Sequence, residues 1–167
     1  MIDYVVCTQA YLQQLFSDDE KTDARKQLEA LTQKHQDEIV VHKHVQKLNP
    51  DWPRYRELAR QDRIFMVLAF SAGKIVGYIV VFVQKHLHDR ELIYAMDDLY
   101  YIDPDVRGAG LGAGLITAAE KEAVRRGAKL LLLRTKQHTN FGGFLEHIGY
   151  RPFETVYTKE LDHDLAS

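Results

Sequence analysis

The 167-residue chain has one cysteine, so it can build no internal disulfide, and a reducing compartment suits it. Cys7 lies in an apolar, strand-like segment, where a thiol is expected to be buried and unreactive. Charge of one sign is also missing. The formal net charge of −2 offers no basic field to a nucleic acid. No apolar run approaches the ~20 residues a membrane helix needs. The start, Met1-Ile2-Asp3-Tyr4, lacks the basic-then-apolar run of a secretion signal. A cytoplasmic location is therefore expected, with neither nucleic acid nor membrane as partner. There is no Pro- or Ser-rich linker, repeat or low-complexity segment, which predicts one domain over residues 1–167. Metal-ligand patterns are weak. His42-Lys43-His44 and His86-Leu87-His88-Asp89 have no companion cysteine or helical His-x-x-x-His pair, so no metal is expected.

What is present reads as a mixed α/β chain. Residues 2–8 suggest a strand. Ser17-Asp18-Asp19-Glu20 suggests a capping box opening a helix that buries Ala24, Leu28 and Leu31. Residues 38–48 fit helix or strand. After the break at Asn49-Pro50-Asp51-Trp52-Pro53, a short helix over 54–62 is predicted, with Tyr55, Leu58 and Ala59 inward. Ile64–Phe70 and Ile75–Val83 form a predicted hairpin, and Glu91–Ile102 a third strand. Leu111, Leu115, Ala119 and Ala123 make one helical stripe, which Arg125-Arg126-Gly127 should end. Lys129–Arg134 reads as a strand buried on both faces. A last helix over 139–147 and one or two closing strands over 150–161 complete the prediction.

The richest stretch is Asp103-Pro104-Asp105-Val106-Arg107-Gly108-Ala109-Gly110-Leu111-Gly112-Ala113, between a strand and a helix. Its glycines bare backbone N–H groups at the positive end of a helix dipole, a shape suited to phosphate. The segment formally matches G-x-G-x-x-G/A, but it follows an antiparallel hairpin and no acidic residue closes the next strand, against a dinucleotide fold. No Gly-Lys-Ser/Thr follows, against a P-loop.

The other pattern present is Arg-x-x-Gly-x-Gly, at Arg107, Gly110 and Gly112. In this strand–loop–helix context it resembles the coenzyme A loop of the GNAT superfamily of N-acetyltransferases. Asp98 through Gly112 is similar to that superfamily's strand-four signature. Phe144-Leu145-Glu146-His147-Ile148-Gly149-Tyr150 is similar to its late helix. The likeness covers roughly 64–160, and Leu48 through Arg56 also resembles short GNAT-like proteins of phage and prophage.

The resemblance implies an α/β fold with a mixed, twisted central sheet of six to seven strands flanked by helices. It also implies a V-shaped cofactor cleft between strands 4 and 5. Acetyl-coenzyme A would be the donor and an amine, of a small molecule or a protein, the acceptor. Many relatives pair, which makes a homodimer compatible. The pyrophosphate would lie on the N–H groups of Gly108, Ala109, Gly110, Leu111, Gly112 and Ala113, with Arg107 adding charge. The pantetheine arm would follow the backbone of Tyr100, Tyr101 and Ile102, with Asn140 as a further contact or a helix cap. An ammonium must lose a proton before it attacks. Asp98 is the favoured base and Asp97, on the opposite face, the second candidate; either could instead pair with a structural arginine or hold a bulge. The superfamily's usual acid, a Tyr after the late-helix Phe, is replaced by Leu145. Tyr150, Tyr157, His147, His138 or water would then protonate the thiolate. That departure leaves a non-catalytic acyl-CoA-binding sensor as the alternative. His86, His88, Trp52 and Tyr55 are candidates for lining the acceptor cleft.

Overall fold

Every residue from Ile64 to Ala69 and from Ile75 to Val81 is buried, so two neighbouring strands are covered on both faces. The computed structural model describes residues 1–17, 19, 21–108 and 110–161. They fall into two compact units, residues 1–134 and residues 135–167.

The first unit is a five-stranded sheet with helices on both faces. Strands β1 (Ile2–Val6), β2 (Ile64–Ser71), β3 (Lys74–His86) and β4 (Asp89–Ile102) run antiparallel in that order, and β5 (Leu130–Leu132) joins β4 in parallel. The pleat sends alternate residues to opposite layers. Ile64, Met66, Leu68, Tyr78 and Val80 meet α1 (Gln9–Leu15), α2 (Asp23–Ile39) and α3 (Trp52–Arg60). Phe65, Val67, Ile79 and Val81 meet α4 (Leu111–Arg125), whose Leu111, Leu115, Ala119 and Ala123 are all buried as their spacing predicts. Cys7 is buried, which pushes its thiol up to about 12, as expected of an inert core residue. No helix among the described residues is long and apolar enough to cross a membrane.

Several expectations need correction. The sheet has five strands among the described residues, not six to seven, and residues 150–161 carry none. Phe153, Val156 and Tyr157 stand exposed there. Pro152 interrupts this run and has no N–H to give a sheet ladder, which counts against a paired strand. β5 spans three residues and is not buried on both faces, since Leu130 is 50% exposed. Helix α2 is capped by Thr22, whose hydroxyl accepts the Arg25 N–H, and not by Ser17. Asp18 and Glu20 of the expected capping box lie outside the described residues. The run at 38–48 is neither helix nor strand beyond Ile39; Val41 and Val45 are exposed loop residues. Helix α1 had no expectation. In the second unit, α5 (Phe141–His147) ends before Gly149 at φ +100°, close to the predicted stop.

Candidate active site

The glycine loop opens α4 as its composition requires. Gly108 and Gly110 have φ of +112° and +76°, which side-chain-bearing residues rarely adopt. Gly110 is the N-cap, so no side chain fills the space ahead of the helix. A β-carbon on either glycine would meet nothing within 4 Å, so the ground beside the backbone is open. Leu111 spends its N–H on the Gly108 carbonyl at 3.0 Å and buries its side chain. Gly112 and Ala113, in the first turn, have N–H groups with no partner among the described residues. Ala109 lies outside the described residues.

The start of α4 is fixed by a residue no motif indicated. The Tyr4 hydroxyl donates to the Leu111 carbonyl at 3.1 Å, and its ring fills the space where a side chain on Gly114 would go. The loop is also tied down from α2. Lys34 pairs with Asp103 at 2.7 Å, and one turn on Glu38 receives both arms of Arg107, at 2.6 and 2.7 Å. Residues four apart share a helix face, so both ties come from one stripe of α2. The Arg107 guanidinium also donates to the Ile102 carbonyl at 3.0 Å. Its hydrogen bonds hold the Glu38 carboxyl below its ordinary range. Arg107 thus welds the loop to α2 in addition to adding charge beside it.

Strand β4 carries the two acids. Val80 pairs with Leu99 and Val81 with Asp97, which leaves Asp98 as the extra residue of a β-bulge. Asp97 lies 5% exposed, opposite Val81 of the α4 layer. Its Oδ1 accepts the Arg134 N–H at 2.8 Å, and the Arg134 guanidinium donates to the carbonyls of Asp97 and Asp98. Burial raises the Asp97 carboxyl, and the bonds from Arg134 partly offset this. Asp98 faces the helical layer instead, where the Tyr55 hydroxyl donates to its Oδ2. Burial first, and the Asp98 charge second, push the Tyr55 phenol far above its usual range, so it stays a donor.

The same place is where the sheet opens. β5 pairs only with Tyr94, Ala95 and Met96. The Asp97 carboxylate then takes the Arg134 N–H, and the outer edge of β4 from Asp97 to Ile102 has no strand partner among the described residues. Tyr100, Tyr101 and Ile102 lie on this stretch. Tyr101 and Ile102 are buried and Tyr100 partly so; the Tyr101 hydroxyl donates to Glu38 at 2.8 Å.

Between the sheet and α2, α3 and the 40–50 loop lies a cavity of about 190 Å³. Trp52 and Tyr55 line it with Phe16: Trp52 stacks on Phe16 at 5.7 Å, and Tyr55 is tilted against Phe16 at 5.5 Å and against Trp52 at 5.8 Å. His35 and Tyr78 line it too, bonded Nδ1 to hydroxyl at 2.7 Å, and neither stood out in the sequence. His86 and His88 are elsewhere, at the β3–β4 turn. His86 pairs with Asp89, nine residues from Asp98, or about 30 Å along a strand. No three of His, Cys, Asp and Glu among the described residues are grouped to hold a metal. In the second unit, Asn140 is the N-cap of α5 but its side chain makes no capping bond, and Leu145 is buried. His138, His147 and Tyr157 are exposed.

Asp97→Asn separates structure from catalysis. Asn keeps an oxygen for the Arg134 N–H and removes a buried charge. A carboxyl with a raised folded pKa contributes stability at low pH that is lost as pH rises through that pKa. The variant should therefore unfold within about 1 kcal/mol of the parent, or above it, at neutral pH. Urea melts across pH check this. A neutral-pH loss well beyond that range would show that the negative charge itself is needed.

A model of the Acetyltransferase (GNAT) family matches residues 22–150. The chain belongs to this family. The match takes in α2, the bulged strand, the glycine loop and α5. The GNAT chain is 34% identical over 95 residues to an aminoalkylphosphonate N-acetyltransferase of Salmonella typhimurium, a match spanning 56% of this chain and 61% of that protein. It therefore spans less than two thirds of that relative. An aminoglycoside acetyltransferase from an uncultured soil metagenomic sample superposes with a TM-score of 0.70 at 16% identity, covering 96% of this chain and 95% of that one. AAC(6')-Iy, solved with the bisubstrate analogue CoA-S-monomethyl-acetylneamine, gives 0.66 at 13% identity, covering 97% and 99%. At such identities the likeness carries the GNAT fold.

Proposed function

We propose that this GNAT protein transfers acetyl from acetyl-coenzyme A to a primary amine by direct attack, with Asp98 as general base. One observation carries the reading. At a single point of β4 the parallel partner departs on one side and a bulge sets Asp98 against Tyr55, which lines a cavity. A donor along the open edge and an acceptor in the cavity would meet there.

The residues fit the cofactor. The first-turn N–H groups of Gly112 and Ala113, with open ground beside Gly108 and Gly110, suit a pyrophosphate at the α4 N-terminus. Bound acetyl-coenzyme A supplies the thioester carbonyl, to which the amine nitrogen bonds as the carbon–sulfur bond breaks. Asp98 takes the proton the ammonium must shed, while Tyr55 keeps the carboxylate aimed. An outer-edge N–H of residues 100–102 would hold the developing negative charge on oxygen. Asp97 is left to Arg134, a structural partner. The departing thiolate is a weak base, so it can leave without a positioned acid, where Leu145 offers none, and take its proton from solvent afterwards.

Coenzyme A release over a panel of amines, followed with a thiol reagent, tests this. Turnover on any amine supports it. The second reading, an acyl-CoA-binding sensor, draws on Leu145; tight acetyl-coenzyme A binding without turnover on any amine would favour it.

A further inference from the structure

The cavity beside Asp98 has a composition that selects among amines. We infer that it takes a primary amine with one positive charge on a small aromatic or aliphatic body, and excludes polycations. The inference rests on the acetyltransferase reading for its role, but not for the binding it asserts.

Size comes first. At about 190 Å³ the cavity falls below the ~300 Å³ at which drug-sized ligands begin to fit. Its walls are then decisive. Phe16, Trp52 and Tyr55 present ring faces, and Met66, Val80 and Leu99 are apolar, so an aromatic or aliphatic body is matched. No aspartate or glutamate is among the lining residues. Asp98 is bonded to the wall through the Tyr55 hydroxyl and can answer one ammonium. Glu38, whose charge is felt by the wall residue His35, is already held by Arg107 and Tyr101.

Two cations stand near the wall. The Arg25 guanidinium, 2% exposed, sits 3.8 Å from the Trp52 ring centre and so occupies one face of that ring. It is held by Glu29 at 2.9 Å and by the Leu15 carbonyl at 2.9 Å, so it stays in place. Lys47 also lines the cavity and is exposed. A second ammonium would find no carboxylate among the lining residues, and Lys47 beside it, which is unfavourable.

Trp52 reports occupancy, being the chain's single tryptophan. The full-length protein, saturated with coenzyme A, is titrated with 2-phenylethylamine, spermidine or kanamycin, and its fluorescence followed. The expected result is a saturable change with 2-phenylethylamine, at a Kd at least tenfold below that of either polycation. Equal or tighter binding of spermidine or kanamycin overturns the inference, as does no response to 2-phenylethylamine. Leu48→Glu places a carboxylate on a partly exposed wall residue with little risk to the fold. It should strengthen spermidine binding about tenfold and change 2-phenylethylamine binding less than threefold. Spermidine binding that ignores the new carboxylate also overturns it. Saturable 2-phenylethylamine binding with no coenzyme A release from acetyl-coenzyme A would support the pocket assignment and defeat the transferase reading instead.

Discussion

Asp98→Asn is expected to lower kcat/KM for the amine by roughly 100- to 1,000-fold, within the span that a positioned general base contributes. Acetyl-coenzyme A affinity should stay within about twofold, because the loop and the open edge of β4 are untouched. The substitution is nearly isosteric and Asn can still accept the Tyr55 hydrogen bond, so the bulge should persist. The loss has a pH signature. A variant without a base relies on amine already deprotonated in solution, which grows tenfold per pH unit up to the amine's own pKa, about 10 for an alkylamine. The deficit should be widest at low pH and narrow as pH rises. Steady-state kinetics from pH 6 to 9.5 would show this. An unchanged profile would pass the role to water or to Asp97. The latter is a poor candidate, given its burial and its bonds to Arg134.

Gly110→Asp should raise the Kd for coenzyme A at least 100-fold while hardly changing stability. Two effects on folding oppose each other. The φ of +76° disfavours a side chain by about 1 kcal/mol, less for aspartate than for most residues. Against this, aspartate is a good N-cap and Gly110 is the N-cap of α4, a gain of a few tenths of a kcal/mol over glycine. Binding has no such compensation, for the new carboxylate stands where the pyrophosphate would bind. Calorimetric titration with coenzyme A, paired with a thermal melt, separates the two. Binding that survives in a folded variant would place the phosphate site elsewhere.

Much of this site was legible along the chain. Gly108, Gly110 and Gly112 lie together where a loop enters α4, and what they do, freeing backbone at a helix start, is local chemistry. The stripe of Leu111, Leu115, Ala119 and Ala123 and the hairpin of β2 and β3 were legible for the same reason. Arg107 was legible as a motif residue but not as the partner of Glu38, since 69 positions separate them. Tyr4 reaches the Leu111 carbonyl across 107 positions, and nothing in the local sequence of either announces the other.

The acids divide along the same line. The adjacent pair Asp97-Asp98 in an apolar strand declared itself, because buried carboxylates need partners wherever they occur. Which partner each would have did not. That depends on the bulge, set by the register of β4 against β3, and on Arg134 arriving from β5. The closing strands over 150–161 failed for a local reason, as Pro152 interrupts the run and cannot donate to a ladder. By itself, then, the sequence determined the family, the phosphate-suited loop and the need for a partnered carboxylate. All three depend on side-chain chemistry and spacing within about a dozen residues. Only the tertiary structure decided that Asp97 is buried against Arg134, that Asp98 meets Tyr55, and that Phe16, Trp52 and Tyr55 line the cavity beside them. Those outcomes follow from contacts between residues distant in the chain, set by strand register and helix docking.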